Sequence, residues 1–358
     1  MPTPVRLADL TTLRLGGPAP ELVPVSSADE VIDAMRTYRG RVLVLGGGSN
    51  LVVADEGVST PVLRIAIPDL YIGTDRMDGT VPVTIGAGVD WDFAVERVVA
   101  EGLTGLAPLS GIPGSSGATP VQNVGAYGTE IGELLERVTL YDRTTGIVRT
   151  AAAAELGLAY RSSALRGAER AVITDITLRL RRDPGTVRYA ELARTLGIEI
   201  GDSAPELDIR DAVLSLRRGK GMVIEPGTDD PDTRSAGSFF TNPILDPSAA
   251  ARTDLAIRSR FGAGATYPCY PAGRNPAGQE LVKLSAAWLI ERAGFGKGFD
   301  GPGGRVGISS KHTLALVNRN GTTADLLHLA RQIRNGVTDA FAVTLQPEPV
   351  LVGVSLDG

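Results

Sequence analysis

Cysteine occurs once in the 358 residues, at Cys269, and histidine twice, at His312 and His328. A single thiol excludes an intrachain disulfide and any cysteine-based metal cluster. Two separated histidines argue against a metal site. Aromatic residues make up only 5% of the chain. No apolar run approaches the length of a membrane span. The opening stretch "MPTPVRLADLTTLRLGG" has no apolar core of signal-peptide length. Charge of either sign is not in excess: 36 Lys+Arg against 41 Asp+Glu give a net −5. That balance offers neither nucleic acid nor a membrane surface an electrostatic footprint. The expectation left by these absences is a cytoplasmic protein, and we expect a monomer.

What the chain has is glycine, 44 residues of it. Glycine-rich turns let backbone approach a ligand closely. Apolar residues are 43% and charged residues 22% of the total, as in a globular protein, and the length suits two or three domains. Ser27 with Glu30 three residues later is a capping box ahead of a short amphipathic helix ending near Tyr38. "RVLVLGGGSN" follows as strand and glycine turn, and "PVTIGAGVDWDFAVERVVAEGL" repeats strand, turn and helix with Asp90 as N-cap. "RVTLYDRTTGIVRT" predicts a hairpin about Thr145-Gly146, and "AVITDITLRLRR" a further strand. Beyond residue 184, "LDIRDAVLSLRRGKG" predicts a helix, residues 222–237 a loop, "ELVKLSAAWLIERAG" a helix and "HTLALVN" a strand. "TTADLLHLARQIRNGVTDAFAV" predicts a long helix capped at Thr322 or Thr323, and "TLQPEPVLVG" a closing strand. The fold class is α+β.

Several stretches carry chemistry. In "LGGGSN", Gly46, Gly47 and Gly48 can turn tightly and offer amides to a phosphate, with Ser49 and Asn50 adding side-chain hydrogen bonds. A plain strand–loop turn fits the same residues, and neither G-x-G-x-x-G nor a P-loop is present. "PLSGIPGSSGATPVQNVGAYG" (108–128) is stronger. A turn fixed by Pro113 and Gly114 leads into Ser115, Ser116 and Gly117, then the amides Gln122 and Asn123, then Gly125, Ala126 and Tyr127. Small side chains let a flat ligand lie on backbone, and the neutral donors suit phosphates and ring edges; a self-packed loop is the alternative. In "AYRSS", Tyr160 and Arg161 place an aromatic beside a guanidinium fit for a carboxylate, or for a surface ion pair. "AGSFFTNP" sets Ser238 in a small-residue turn, as a proton donor, a nucleophile or a turn serine. "LQPEPVLVG" sets Glu348 between two prolines, either functional or solvated at a sheet edge. An oxidase of a sugar or hydroxy acid would use the same glycine loops, and a nucleotide-sugar binding protein that has lost catalysis is a further alternative.

Taken in order, "TTLRLGG", "LGGGSN", "IPGSSGATPVQNVGAYG", "YRSS", "AGSFFTNP", "KLSAAWLIERAGFGKG", "KHTLALVN" and "LQPEPVLVG" resemble the UDP-N-acetylenolpyruvoylglucosamine reductase family over nearly the whole chain. That family completes UDP-N-acetylmuramate in peptidoglycan synthesis. The resemblance implies an FAD-binding domain of the vanillyl-alcohol-oxidase/PCMH type, built from two α+β subdomains. It also implies a C-terminal α+β domain for the UDP-sugar. The boundaries it suggests are 1–184 for the FAD domain (subdomains about 1–66 and 67–184), 185–221 for a connector with a tyrosine loop, 222–345 for the substrate domain and 346–358 for a returning strand. It implies FAD held non-covalently, since no histidine lies near either glycine loop. It implies NADPH as hydride donor and UDP-N-acetylglucosamine enolpyruvate as substrate. By the same resemblance Ser238 is the proton donor, and Arg161 and Glu348 polarise the enolpyruvyl carboxylate. Glu348 suits that task only when it carries or shares a proton. Tyr160, Tyr189, Lys220, Asn242, Tyr270, Lys283 and His312 resemble substrate contacts, with His312 standing where some members carry glutamine. The resemblance implies no metal.

Overall fold

Ser27 has extended backbone, and its hydroxyl accepts the Glu30 amide at 3.2 Å, which opens helix α1 (Ala28–Thr37). The Glu30 carboxylate reaches back as a capping box requires, but to the Ser26 amide, one residue before the cap. Asp90 caps α2 (Trp91–Ala100) through the Phe93 amide at 3.0 Å. The computed structural model describes residues 5–167, 171–225 and 227–357; Pro226 of the expected 222–237 loop lies outside them.

The chain forms two compact units, each with its own apolar core. The first comprises residues 1–6, 18–48 and 58–228. It contains a parallel three-stranded sheet in the order Leu22–Val25, Val62–Ile65, Leu43–Leu45, packed by α1. It also contains an antiparallel five-stranded sheet in the order Ile147–Ala152, Leu135–Asp142, Ala171–Leu180, Val81–Gly86, Leu70–Ile72. The expected hairpin turns at Gly146, whose φ is +75° and whose amide returns to the Asp142 carbonyl at 2.7 Å. α3 (Ala190–Leu196) and α4 (Glu206–Gly219) complete this unit. Trp91 is fully buried, with its indole N–H on the Leu109 carbonyl at 3.1 Å. Burial of a large apolar side chain contributes ~1.5–3 kcal/mol, and here it fixes the start of the long glycine-rich loop from below.

The second unit comprises residues 7–17, 49–57 and 229–358. One antiparallel sheet runs Ser235–Ser238, Ala315–Asn318, Val306–Ile308; a second runs Ile244–Leu245, Glu280–Leu284, Cys269–Arg274. The closing strand Val350–Val352 pairs in parallel with Leu51–Val53. The helices are α5 (Pro247–Phe261), α6 (Ala286–Arg292) and α7 (Thr323–Phe341). Thr322 caps α7, as expected, and Asp55 adds acceptors for the Thr323 and Ala324 amides at 2.8 and 2.9 Å.

Two features depart from the sequence-based expectations. "ELVKLSAAWLIERAG" is half strand: Glu280–Leu284 pairs on both edges, and the helix begins only after Ser285, which caps Trp288. Its apolar spacing fits a helix, but two cross-strand neighbours override that preference. The last residues of the expected 222–237 loop are also strand, since Ser235–Ser238 pairs with Ala315–Asn318. Segments 7–17 and 49–57 belong with the C-terminal residues, and 185–228 with the first unit.

Candidate active site

In the first unit the two glycine loops meet face to face. A Cβ on Gly46 would stand 2.3 Å from the Ser115 hydroxyl oxygen, and one on Gly47 would stand 2.6 Å from the Gly114 Cα. A side chain would meet backbone at Gly47 and the Ser115 side chain at Gly46, so close packing calls for glycine at both. Gly48 turns the chain at φ +65°. Among the described residues, no acceptor meets the amides of Gly46, Gly47 or Gly48. Three adjacent donors left open on a tight turn suit a pyrophosphate. The chain then passes into the second unit at Ser49 and Asn50.

The 108–128 loop lies on the sheet and α2 through the Trp91 amide on the Gly114 carbonyl (3.0 Å) and the Ser116 amide and hydroxyl on the Val89 carbonyl (2.8 and 3.0 Å). Gly117 packs on Ala87, where a Cβ would fall 2.4 Å from its methyl. Pro113 and Gly114 make the entering turn, Gly114 at φ +129°. Gln122 and Asn123 are buried. The Asn123 side chain is occupied within the unit: it donates to Glu130 (2.7 Å) and the Ala159 carbonyl (3.1 Å) and accepts from the Gly132 amide (2.9 Å). It shapes the loop that carries Gly125 and Ala126. Asn123, Tyr127 and Arg161 all adopt positive φ, of 45°, 48° and 51°. Such strain in non-glycine residues gathers where geometry serves function.

Arg161 reaches this loop. Its Nη2 donates to the Gly125 carbonyl at 2.6 Å and its guanidinium lies 5.2 Å from the Tyr160 ring centroid. Tyr127 and Tyr189 meet edge to face at 5.5 Å, and burial pushes the Tyr127 phenol up to about 12. Tyr127 is therefore neutral at physiological pH. Lys220 Nζ is 5.6 Å from the Tyr127 ring centroid and pairs with Glu191 at 2.6 Å.

Sequence reasoning missed the polar row on α4. Arg210 holds Asp92 through two hydrogen bonds of 2.6 and 3.0 Å, and Asp92 accepts the Gly111 amide at 2.6 Å. Burial works to raise the Asp92 carboxyl, but Arg210 and the Gly111 amide outweigh it and hold it below its usual value. Arg217 is buried beside Gly111, donates to the Met222 carbonyl at 3.0 Å, and is pushed below its usual pKa by desolvation. Glu206 accepts the Ala107 amide at 3.1 Å, while its Oε1 meets no partner among the described residues. The spacing of 206, 210 and 217 on one amphipathic helix was the available signal.

Burial raises the Glu206 carboxyl against the lowering effect of the Ala107 and Gly105 amides. A folded-state pKa above the unfolded one means that its stabilising contribution is full below the unfolded value and is lost as pH rises through the folded one. The melting temperature should therefore fall as pH rises above the ordinary carboxylate range, by a component that Glu206→Gln removes. Thermal melts over that rise check it; parallel curves for the two proteins would assign the pH dependence elsewhere.

In the second unit Ser238 ends a bulged strand. Ser235 pairs with Val317 and Ser238 with Ala315, so the edge carries one extra residue, and Gly237 takes it up at φ +70°. Such a bulge re-aims the next side chain. Phe239 and Phe240, both 1% exposed and 5.1 Å apart, anchor the chain directly after the serine. The Glu348 amide donates to the Phe239 carbonyl at 2.9 Å, so Glu348 is fixed beside the serine segment. Tyr270 and Lys283 are direct cross-strand partners, and Ile244 flanks Lys283 on the other edge. Asn242 accepts the Ala286 amide at 2.9 Å at the start of α6, which leaves its NH2 to donate. His312 sits in a turn whose amides, its own and that of Lys311, converge on the Ser309 hydroxyl at 3.2 and 3.0 Å. Cys269 is exposed.

Comparison with known proteins gives the class first. An FAD binding domain model matches residues 20–152. A solved solvent-stable cholesterol oxidase shares the fold at 11% identity and a TM-score of 0.50, over 96% of this chain and 86% of that one. With the glycine loops, this defines an FAD-binding protein of α+β fold.

The model of the C-terminal domain of UDP-N-acetylenolpyruvoylglucosamine reductase matches residues 229–352. The reductase of that name from Thermobifida fusca is 53% identical over 358 residues, 98% of each chain. That from Saccharopolyspora erythraea is 54% identical over 357 residues, 98% of this chain and 95% of its own. The crystal structure of the reductase from Thermus caldophilus has a TM-score of 0.61 at 26% identity over 98% of each chain. The chain belongs to the UDP-N-acetylenolpyruvoylglucosamine reductase family. Among the described residues, no helix is long and apolar enough to cross a membrane.

Proposed function

We propose that this chain reduces UDP-N-acetylglucosamine enolpyruvate to UDP-N-acetylmuramate, as a cytoplasmic monomer, with Arg161, Ser238 and Glu348 as its catalytic residues. The observation that carries the reading is the bulge that turns out Ser238 on the segment to which the Glu348 amide is bonded. Bound FAD would supply hydride transfer between NADPH and the vinyl CH2 carbon of the sugar. The residues that would hold FAD are the open amides of Gly46, Gly47 and Gly48, with Ser49, Asn50 and the backbone of 113–117 and 125–127.

The chain's own residues then handle charge and proton. As the vinyl carbon is reduced, negative charge gathers on the carbon beside the carboxylate and spreads into it. Arg161 stabilises that charge, because its guanidinium stays protonated and matches a carboxylate's two oxygens. Glu348 assists only with a proton on it, since a bare carboxylate would oppose the charge. The Ser238 hydroxyl, a weak acid, gives its proton to that basic carbon. Tyr160, Tyr189, Lys220, Asn242, Tyr270, Lys283 and His312 bind the UDP-sugar. Lys283 is a cation suited to phosphate, and Tyr270 opposite it offers a ring to the base.

Anaerobic stopped-flow absorbance tests the reading. The purified protein is mixed with NADPH and then with the enolpyruvyl sugar. Bleaching of the flavin band followed by its return supports the reading. Bleaching without return removes this substrate, and oxygen uptake driven by simple sugars would favour an oxidase. Absence of a flavin band after FAD is added would refute the site itself. A light-scattering mass of two chains would remove the monomer.

A further inference from the structure

The stretch "TTLRLGG" has no part in the chemistry above, yet residues 7–17 belong to the unit that carries Ser238 and Glu348. They form a strap pinned along its length. The Leu7 amide bonds the Gly17 carbonyl at 2.9 Å and the Gly17 amide bonds the Ala54 carbonyl at 2.8 Å. Thr11 closes a local loop with Leu15 through bonds of 2.9 and 3.2 Å. The buried Asn318 side chain donates to the Leu13 carbonyl at 2.9 Å, and Leu13 itself is 0% exposed. Between these anchors Thr12 points its hydroxyl at two other segments. It donates to the Ser235 carbonyl at 2.7 Å and lies 3.4 Å from the Ser49 carbonyl.

Both contacts touch functional segments. Ser235 begins the bulged strand, and its own hydroxyl accepts the Gly237 amide at 3.2 Å, so it sets the bulge that aims Ser238. Ser49 follows the three glycines. A second tie runs from the same place, since the Val350 amide bonds the Asn50 carbonyl at 2.9 Å, two residues beyond Glu348. The end of the glycine loop thus lies against Thr12, which is bonded to the serine strand, and is itself bonded to the glutamate strand through Val350.

We propose that Thr12 is a positioning residue for proton delivery: its hydroxyl holds the start of the bulged strand so that Ser238 faces the carbon it protonates. This rests on the role proposed for Ser238. A hydroxyl has one hydrogen, and the shorter contact takes most of it. Its loss therefore falls on Ser235 before Ser49. Thr12→Val keeps the shape and removes the donor; Thr12→Ser keeps the donor and removes only a methyl group.

The experiment uses full-length protein with FAD and follows the two half-reactions separately. In Thr12→Val, bleaching by NADPH should stay within about twofold of wild type, and return of the flavin band with the enolpyruvyl sugar should slow about tenfold, less than the ~100-fold that a full ångström of misplacement costs. The solvent deuterium isotope effect on the return should rise, because proton transfer becomes the slower event. Thr12→Ser should restore the rate. FAD titration of the apoprotein should give an affinity within about twofold of wild type, because a 3.4 Å contact is weak. A parallel fall of both halves with a lower melting temperature, a return without rise in the isotope effect, failure of serine to rescue, or a large loss of FAD affinity would each overturn the proposal. A wild-type protein that bleaches but never recovers would remove the proposed reaction, and Thr12's role with it. Normal recovery in the wild type lets the variants judge Thr12 alone.

Discussion

Ser238→Ala should bleach with NADPH at close to the wild-type rate and return its flavin band with the enolpyruvyl sugar ~10³-fold more slowly, the middle of the range for one positioned proton donor. That factor is about 4 kcal/mol of transition-state stabilisation. The asymmetry has a structural cause. The serine lies on a bulge in the second unit, while the residues suited to holding FAD by its phosphate form a backbone cradle in the first. Loss of one hydroxyl should leave that cradle intact. Ser238 is followed by Phe239 and Phe240, whose burial fixes the segment without help from the hydroxyl. Anaerobic stopped-flow with each substrate in turn makes the measurement, and a melting curve confirms that the fold persists. If both half-reactions fell by the same factor, Ser238 would be structural.

The parts of this fold that sequence reveals are those decided locally. Ser27, Asp90 and Thr322 cap helices because a short acceptor side chain ahead of an amphipathic run has one economical use. The glycine loops were legible because close backbone approach excludes every side chain, and Gly46, Gly47 and Gly117 leave no room for a Cβ. What was not legible depends on distant partners. Glu280–Leu284 reads as helix until both neighbouring strands are present. Segments 7–17 and 49–57 join a unit whose remaining residues begin at Asp229, which no local composition announces. The same holds at the site. Asn123 also bonds Glu130, the Ala159 carbonyl and the Gly132 amide, contacts that its place in the loop does not announce. The Asp92–Arg210 pair joins residues 118 positions apart. Tyr270 and Lys283, named separately by resemblance, prove to be cross-strand partners.

Arg161 has two tasks, and substitution should separate them. One is local: its Nη2 holds the Gly125 carbonyl at 2.6 Å while its own backbone sits at φ +51°. The other is the proposed stabilisation of charge on the enolpyruvyl carboxylate, where loss of one preorganised donor costs ~10²–10³ in rate. Arg161→Lys keeps a cation but loses the planar fork, so sugar-driven return of the flavin band should slow about a hundredfold, with a far smaller loss of FAD affinity from the Gly125 bond. Arg161→Ala loses the cation as well and should slow it about a thousandfold. Glu348 supplies the complementary sign test. Glu348→Gln retains a hydrogen-bond donor where the proposal requires a proton, and should keep more activity than Glu348→Ala. Stopped-flow traces and an FAD titration of each variant decide the matter. Loss of FAD affinity in proportion to loss of rate would make Arg161 a loop clamp only. Equal and negligible losses in both Glu348 variants would remove that residue from the chemistry, leaving Arg161 as the one charged group required at the carboxylate.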